Sequence, residues 1–232
     1  MSESASIAEV IPTCVPRSLG ELHATVEQVR TFADSIHIDI DDGIFTPESS
    51  WPFIQGSRVG EFDTSKLHGG VFDVHLMVSD AREIGENFIK AGARSVIAHI
   101  ESFIDKHALR DTIAAWRSLG VPRVGLAILL DTHLADLEPS IPFCDFVHVL
   151  SVARIGAQGA PFDLRALDRI ADLSERHPGV PISVDGGVSA GTIGSLVQAG
   201  ARRFAIGSAI MQVPNPARAY AEIKSLVENA IQ

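Results

Sequence analysis

Apolar runs of strand length recur near residues 9–13, 35–40, 71–77, 95–100, 123–129, 145–151, 181–184 and 203–206. Between most of them, apolar residues return every three or four positions, the period of a helix with one buried stripe. Leu109, Ile113 and Trp116 share such a face, as do Ile193, Leu196 and Val197, and Tyr220, Ile223 and Val227. Punctuation agrees with periodicity. Ser79-Asp80 opens a helix that ends near Ala91, and Asn215-Pro216 opens the last one with a capping side chain and a proline at the first helical position. Gly92, Gly120 and Gly200 stand where helices turn back toward the next strand, and Pro122 and Pro181 precede apolar runs.

Eight beats of strand then helix, with several strands apolar on both faces, predict an α/β fold with a parallel sheet covered by helices. Eight such beats favour closure into a (β/α)8 TIM barrel over an open sheet. At 232 residues and 46% hydrophobic, the chain has the material for one such domain over residues 1–232, and no segment reads as a linker.

Charge narrows the partners. A formal charge of -10 opposes approach to nucleic acid or to an anionic membrane, so a small molecule is the expected ligand. A phosphate group remains compatible, because backbone N–H groups hold anions without a basic surface. The two cysteines, Cys14 and Cys144, lie far apart and imply no disulfide framework. The N-terminus carries Glu3 and Glu9 rather than a basic flank and apolar core, and no apolar run approaches the roughly 18 residues of a membrane span. The expectation is a soluble, unprocessed, cytoplasmic protein.

Chemistry concentrates at strand ends. In His37-Ile38-Asp39-Ile40-Asp41-Asp42-Gly43, strand alternation throws His37 and Asp39 onto one face, where an imidazole and a carboxylate can share a metal ion. His75 in Asp73-Val74-His75-Leu76-Met77-Val78 and Asp185 in Val184-Asp185-Gly186-Gly187 fall at comparable places on two later strands. All four lie toward the C-terminal rim, where barrel active sites form. Two imidazoles and two carboxylates suit one divalent ion: Zn, Fe(II), Mn or Co. Asp39 and Asp185, reaching a substrate from different strands, are placed for proton transfer on opposite sides of a carbon beside a carbonyl, which is epimerase chemistry. Three glycine turns offer phosphate contacts: Gly156-Ala157-Gln158-Gly159, Gly186-Gly187 and Gly207-Ser208. His99 and Glu101, and His148 on the sixth strand, read as structural polar networks rather than ligands.

These motifs resemble the ribulose-phosphate 3-epimerase family over about residues 10–211. His37 to Gly43 looks like its His-x-Asp-x-x-Asp-Gly segment, Asp73 to Val78 like its Asp-Val-His-Leu-Met-Val strand, and Val184 to Val188 like its Val-Asp-Gly-Gly-Val turn. The resemblance implies a ribulose-phosphate-binding barrel that holds one divalent metal on His37, Asp39, His75 and Asp185. It implies Asp39 and Asp185 as the acid/base pair, phosphate binding around Gly186, Gly187, Gly207 and Ser208, and assembly into a homo-oligomer. The expected function is epimerisation of a ketose phosphate in pentose phosphate metabolism, with ribulose 5-phosphate the first candidate. The alternatives are a decarboxylase or aldolase on the same barrel, and a sugar-phosphate-binding homologue without turnover.

The chain also departs from the family pattern. The loop Ser151 to Gly159 lacks the family's proline and double glycine, and Pro12-Thr13 stands for a Pro-Ser pair whose hydroxyl is expected to touch substrate. Pro16 removes an N–H just beyond. Asp41 and Leu150 occupy positions of site-lining methionines, and Met77 keeps its sulfur. Turned inward, Asp41 adds a third carboxylate that bears on specificity; turned outward, it meets solvent.

Overall fold

In a computed structural model of the chain, residues 8–54, 58–59, 62–67, 69–153, 155–156 and 159–232 are described. Eight strands carry the wall: β1 (Glu9–Cys14), β2 (Ser35–Asp41), β3 (Val71–Met77), β4 (Ser95–His99), β5 (Arg123–Ile128), β6 (Phe146–Leu150), β7 (Ile182–Asp185) and β8 (Ala201–Ile206). They close in the order β1-β8-β7-β6-β5-β4-β3-β2, and β2 pairs back onto β1 in parallel. This is the (β/α)8 barrel that the apolar rhythm predicts.

Alternation along each strand sorts the side chains into two environments. One set, including Ile36, Ile38, Ile40, Phe72, Val74, Leu76, Val124 and Leu126, joins the main apolar core with the helices. The other set lines the inside of the barrel, where Ile97, Ala127 and Phe146 form a small separate cluster. Gly125 makes room for it, because a Cβ there would lie 2.6 Å from the Phe146 ring. Each fully buried Leu, Ile or Phe contributes about 1.5–3 kcal/mol by leaving water.

The outer layer contains α1 (Leu19–Val29), α2 (Ala81–Lys90), α3 (Lys106–Ser118), α4 (Leu134–Leu137), α5 (Arg165–Arg176), α6 (Ala190–Ala199), α7 (Ser208–Met211) and α8 (Pro216–Ile231). The expected stripes face inward: Leu109, Ile113 and Trp116 are buried in α3, Ile193, Leu196 and Val197 in α6, and Ile223 and Val227 in α8. The expected caps form too. Asp80 accepts from the Arg82 N–H at the start of α2, and Asn215 accepts from the Arg218 N–H at the start of α8.

Two details differ from the sequence pattern. Among the described residues, no α-helix links β2 to β3. The connection carries an antiparallel pair of two-residue strands, Phe53–Ile54 with Arg58–Val59, and a 3-10 turn at Ser65–Leu67. Gly43, Pro47 and Pro52 punctuate this segment too closely for a sustained helix. Trp51 and Phe62 stack with ring centroids 5.4 Å apart, and Phe88 of α2 packs edge-on against both. The second difference is β8, which starts at Ala201, two residues before its apolar run.

Within β8, Arg203 serves the barrel floor. Its guanidinium is buried and donates to Asp73 at 2.8 Å and to Glu9 at 2.6 Å. Arg94 gives Asp73 two further bonds, at 2.8 and 2.6 Å, and Arg123 reaches Glu9 at 3.1 Å. Three guanidiniums and two carboxylates thus close the N-terminal end of the barrel. Burial alone would raise the Asp73 carboxyl, but Arg94 and Arg203 outweigh it and hold it at about 2.

Candidate active site

At the C-terminal rim, β2 presents His37, Asp39 and Asp41 at alternate positions, all buried. Asp39 sits in register with His75 on β3, and Asp41 with Met77. Asp185 ends β7, beside Leu150 of β6. Barrel closure brings these groups together. The Asp39 Oδ1 lies 2.9 Å from His75 Nδ1 and 3.2 Å from His37 Nε2. The Asp185 Oδ2 approaches His75 Nδ1 at 3.7 Å and His37 Nε2 at 3.9 Å. All four residues expected to share a metal therefore converge.

A fifth residue joins them. His148 Nε2 lies 3.6 Å from Asp185 Oδ2, and His37, His75, His148 and Asp185 each place one potential ligand atom within 4.8 Å of all the others. The His148 Nδ1 meets the Ser183 hydroxyl at 2.9 Å, while its buried Nε2 has no hydrogen-bond partner. His148 thus combines the polar network expected of it, through Ser183, with a second ring nitrogen close to the cluster. A lone histidine in a strand gives no hint of its partner, and Ser183 is supplied by the neighbouring strand in register with it. His99 and Glu101 do form the expected supporting network. His99 contacts His75 at 2.9 Å and Glu101 at 3.2 Å, and Glu101 accepts from the Leu129 N–H and the Thr132 hydroxyl.

The two acidic groups of the cluster are driven in opposite directions. Burial raises the Asp39 carboxyl, but His37 and His75 more than compensate and hold it below the usual carboxylate range. Burial raises Asp185 as well, and the charge of Asp39 pushes it further up. Burial lowers His75 to about 4 and His148 well below its ordinary value, which keeps both rings neutral with lone pairs available.

Above the cluster opens a cavity at the barrel mouth. Asp39 and Asp185 reach it from β2 and β7, and Thr13, Asp41, Met77 and Leu150 line its wall. Asp41 points inward, and burial together with the charge of Asp39 pushes its carboxyl up to about 7. Gly186, Gly187, Gly207 and Ser208 border the cavity on the β7 and β8 side, with Gly156 and Gly159 above. Gly187 has φ 65°, and a Cβ there would lie 2.4 Å from the Phe162 amide nitrogen, so glycine is required for this turn. Ala157 and Gln158 of the preceding turn lie outside the described residues.

Comparison with known proteins matches the sequence motifs. The family model described as the ribulose-phosphate 3 epimerase family fits residues 9–211. The chain is 32% identical over 232 residues to a ribulose-phosphate 3-epimerase of Synechocystis sp., covering 97% of this chain and 95% of that protein. It is 36% identical over 181 residues to the ribulose-phosphate 3-epimerase of Treponema pallidum, covering 76% and 78%. Among solved structures, 3-hexulose-6-phosphate synthase from Salmonella typhimurium superposes with a TM-score of 0.70 at 16% identity, over 96% of this chain and 99% of that one. That last likeness is one of fold. By its sequence, over nearly the whole barrel, the chain belongs to the ribulose-phosphate 3-epimerase family.

Proposed function

We propose that the protein inverts the carbon beside the carbonyl of a ketose phosphate, with ribulose 5-phosphate its first substrate. The observation that carries this reading is the pair Asp39 and Asp185, which enter one cavity from strands β2 and β7. The ionised Asp39 takes the proton from one face of the carbon, leaving an enediolate. The protonated Asp185 returns a proton to the other face, and the reverse reaction exchanges the roles. Glycine turns at 186–187 and 207 let backbone groups approach the phosphate, and Thr13 supplies a hydroxyl on the cavity wall.

The donor chemistry fits one divalent cation. His37, Asp39, His75 and Asp185 would hold it, as Zn, Fe(II), Mn or Co, and when bound it supplies Lewis-acid polarisation of the substrate oxygens. The unpartnered Nε2 of His148 is aligned with the same group, its other nitrogen fixed by Ser183. Replacing His148 with Leu should weaken metal retention by about 10–100-fold, measured by competition with a chelator. Unchanged retention would assign His148 to packing alone.

Incubation of metal-loaded protein with ketose phosphates in D2O tests the activity. Deuterium should enter at the carbon beside the carbonyl as the epimer forms, and chelation should stop both. Product mass separates this reading from a decarboxylase or aldolase, since epimerisation conserves mass. Lys66 and Lys90 lie in the 3-10 turn and at the end of α2, away from strand ends where Schiff-base chemistry would need them.

The same reading makes the chain one barrel domain that assembles into dimers or larger rings and works in the cytoplasm. Its two cysteines are free thiols, and among the described residues no helix is long and apolar enough to cross a membrane.

A further inference from the structure

Two adjacent aspartates at the end of β2 are served very differently. Asp42 accepts four hydrogen bonds: from the Ile44 and Phe45 N–H groups, and from the N–H and hydroxyl of Ser79. Asp41 is fully buried, yet among the described residues neither of its carboxyl oxygens has a partner in good hydrogen-bond geometry. The nearby Thr46 hydroxyl directs its single proton to the Glu48 carbonyl at 2.7 Å. The Asp41 backbone is pinned, its N–H donating to the Ser50 hydroxyl and its carbonyl accepting from the Ser50 N–H. The side chain is thereby fixed on the cavity wall. A buried carboxyl without a partner is costly, and the fold gains nothing from it.

We propose that Asp41 is a specificity-determining residue that hydrogen-bonds the terminal hydroxyl of the sugar at the end opposite the phosphate. The placement follows from the wall. Asp41 ends β2, which lies three strands from β7 and two from β8 in the closed ring of eight. The Gly186-Gly187 turn after β7 therefore borders the cavity across from Asp41, with Gly207 between them after β8. A ketose phosphate anchored there by its phosphate, with its reacting carbon between Asp39 and Asp185, extends its hydroxymethyl end toward Asp41. This rests on the epimerase reading, which supplies the orientation. A hydroxyl both donates and accepts, so it satisfies the carboxyl in either proton state.

The test uses two unreactive probes, ribitol 5-phosphate and its 1-deoxy analogue, titrated by calorimetry against the metal-loaded wild type, Asp41→Asn and Asp41→Leu. The wild type should prefer the hydroxylated probe by about 10–100-fold, as expected for one hydrogen bond to a charged group. The preference should shrink in Asp41→Asn, which keeps an acceptor, and fall to near unity in Asp41→Leu. The Asn variant is close in shape and keeps the series readable should leucine disturb folding. Equal preference across the series, or none in the wild type, overturns the assignment. Solvent deuterium exchange with ribulose 5-phosphate is followed in parallel. Exchange without an Asp41-dependent preference sinks this inference alone. An Asp41-dependent preference without exchange sinks only the activity, and failure of both probes to bind together with absence of exchange sinks both.

Discussion

Asp185→Asn and Asp39→Asn each lower the rate of inversion by about a hundred- to ten-thousand-fold, the usual contribution of a positioned acid or base. Asparagine keeps the size of the side chain but neither accepts nor delivers the proton. The two variants should also differ from each other. Because the carboxyls come from β2 and β7 on either side of the cavity, each variant retains one group able to remove its own proton. Each therefore exchanges deuterium into one epimer only, without turning it over, and the two variants choose opposite epimers. Metal content is measured alongside, since both carboxyls approach the imidazole cluster. Full exchange of both epimers in both metal-loaded variants would remove the proposed roles.

Asp73→Asn should cost about 3 kcal/mol of stability at neutral pH, because it leaves the buried Arg203 and the half-buried Arg94 facing a neutral amide. Glu9 still holds Arg203, which places the loss at the low end for a broken buried pair. In a chain of 232 residues that corresponds to a fall in Tm of about 6–10 °C. The pH dependence has a definite sign. The Asp73 carboxyl is held at about 2 in the folded protein, below its value in the unfolded chain. Its stabilisation is therefore complete above about pH 4 and is lost as the pH falls toward 2, an increment of about 2–3 kcal/mol. Chemical denaturation at about pH 5 and about pH 2.5 should show this loss in the wild type and a correspondingly smaller one in Asp73→Asn. Equal acid sensitivity in the two proteins would show that the floor contributes little.

The barrel was legible because parallel strands buried on both faces leave continuous apolar runs, and β4 and β6 are buried at every position. Where a charged residue stands near a strand's start, as Arg202 does one residue into β8, the apolar run falls short of the true start. That no α-helix links β2 to β3 among the described residues was less visible, since a count of strands implies a helix between each pair. At the site, His37, Asp39, His75 and Asp185 could be read because each sits in a motif at a strand end. His148 could not, because its neighbours in the cluster come from β2, β3 and β7 and only ring closure unites them. Asp41 shares the alternation of His37 and Asp39, but its lack of a well-formed donor among the described residues is a property of the packed structure.

The unequal service of Asp41 and Asp42 divides labour across a single peptide bond. One carboxylate is bolted to the turn after β3 through Ser79, while its neighbour lacks a well-formed hydrogen bond from any of the described residues. Mutational drift at position 41 can therefore retune what the enzyme accepts while the scaffold holding Asp39 stays put. Evolution is offered a dial that turns without loosening its mounting.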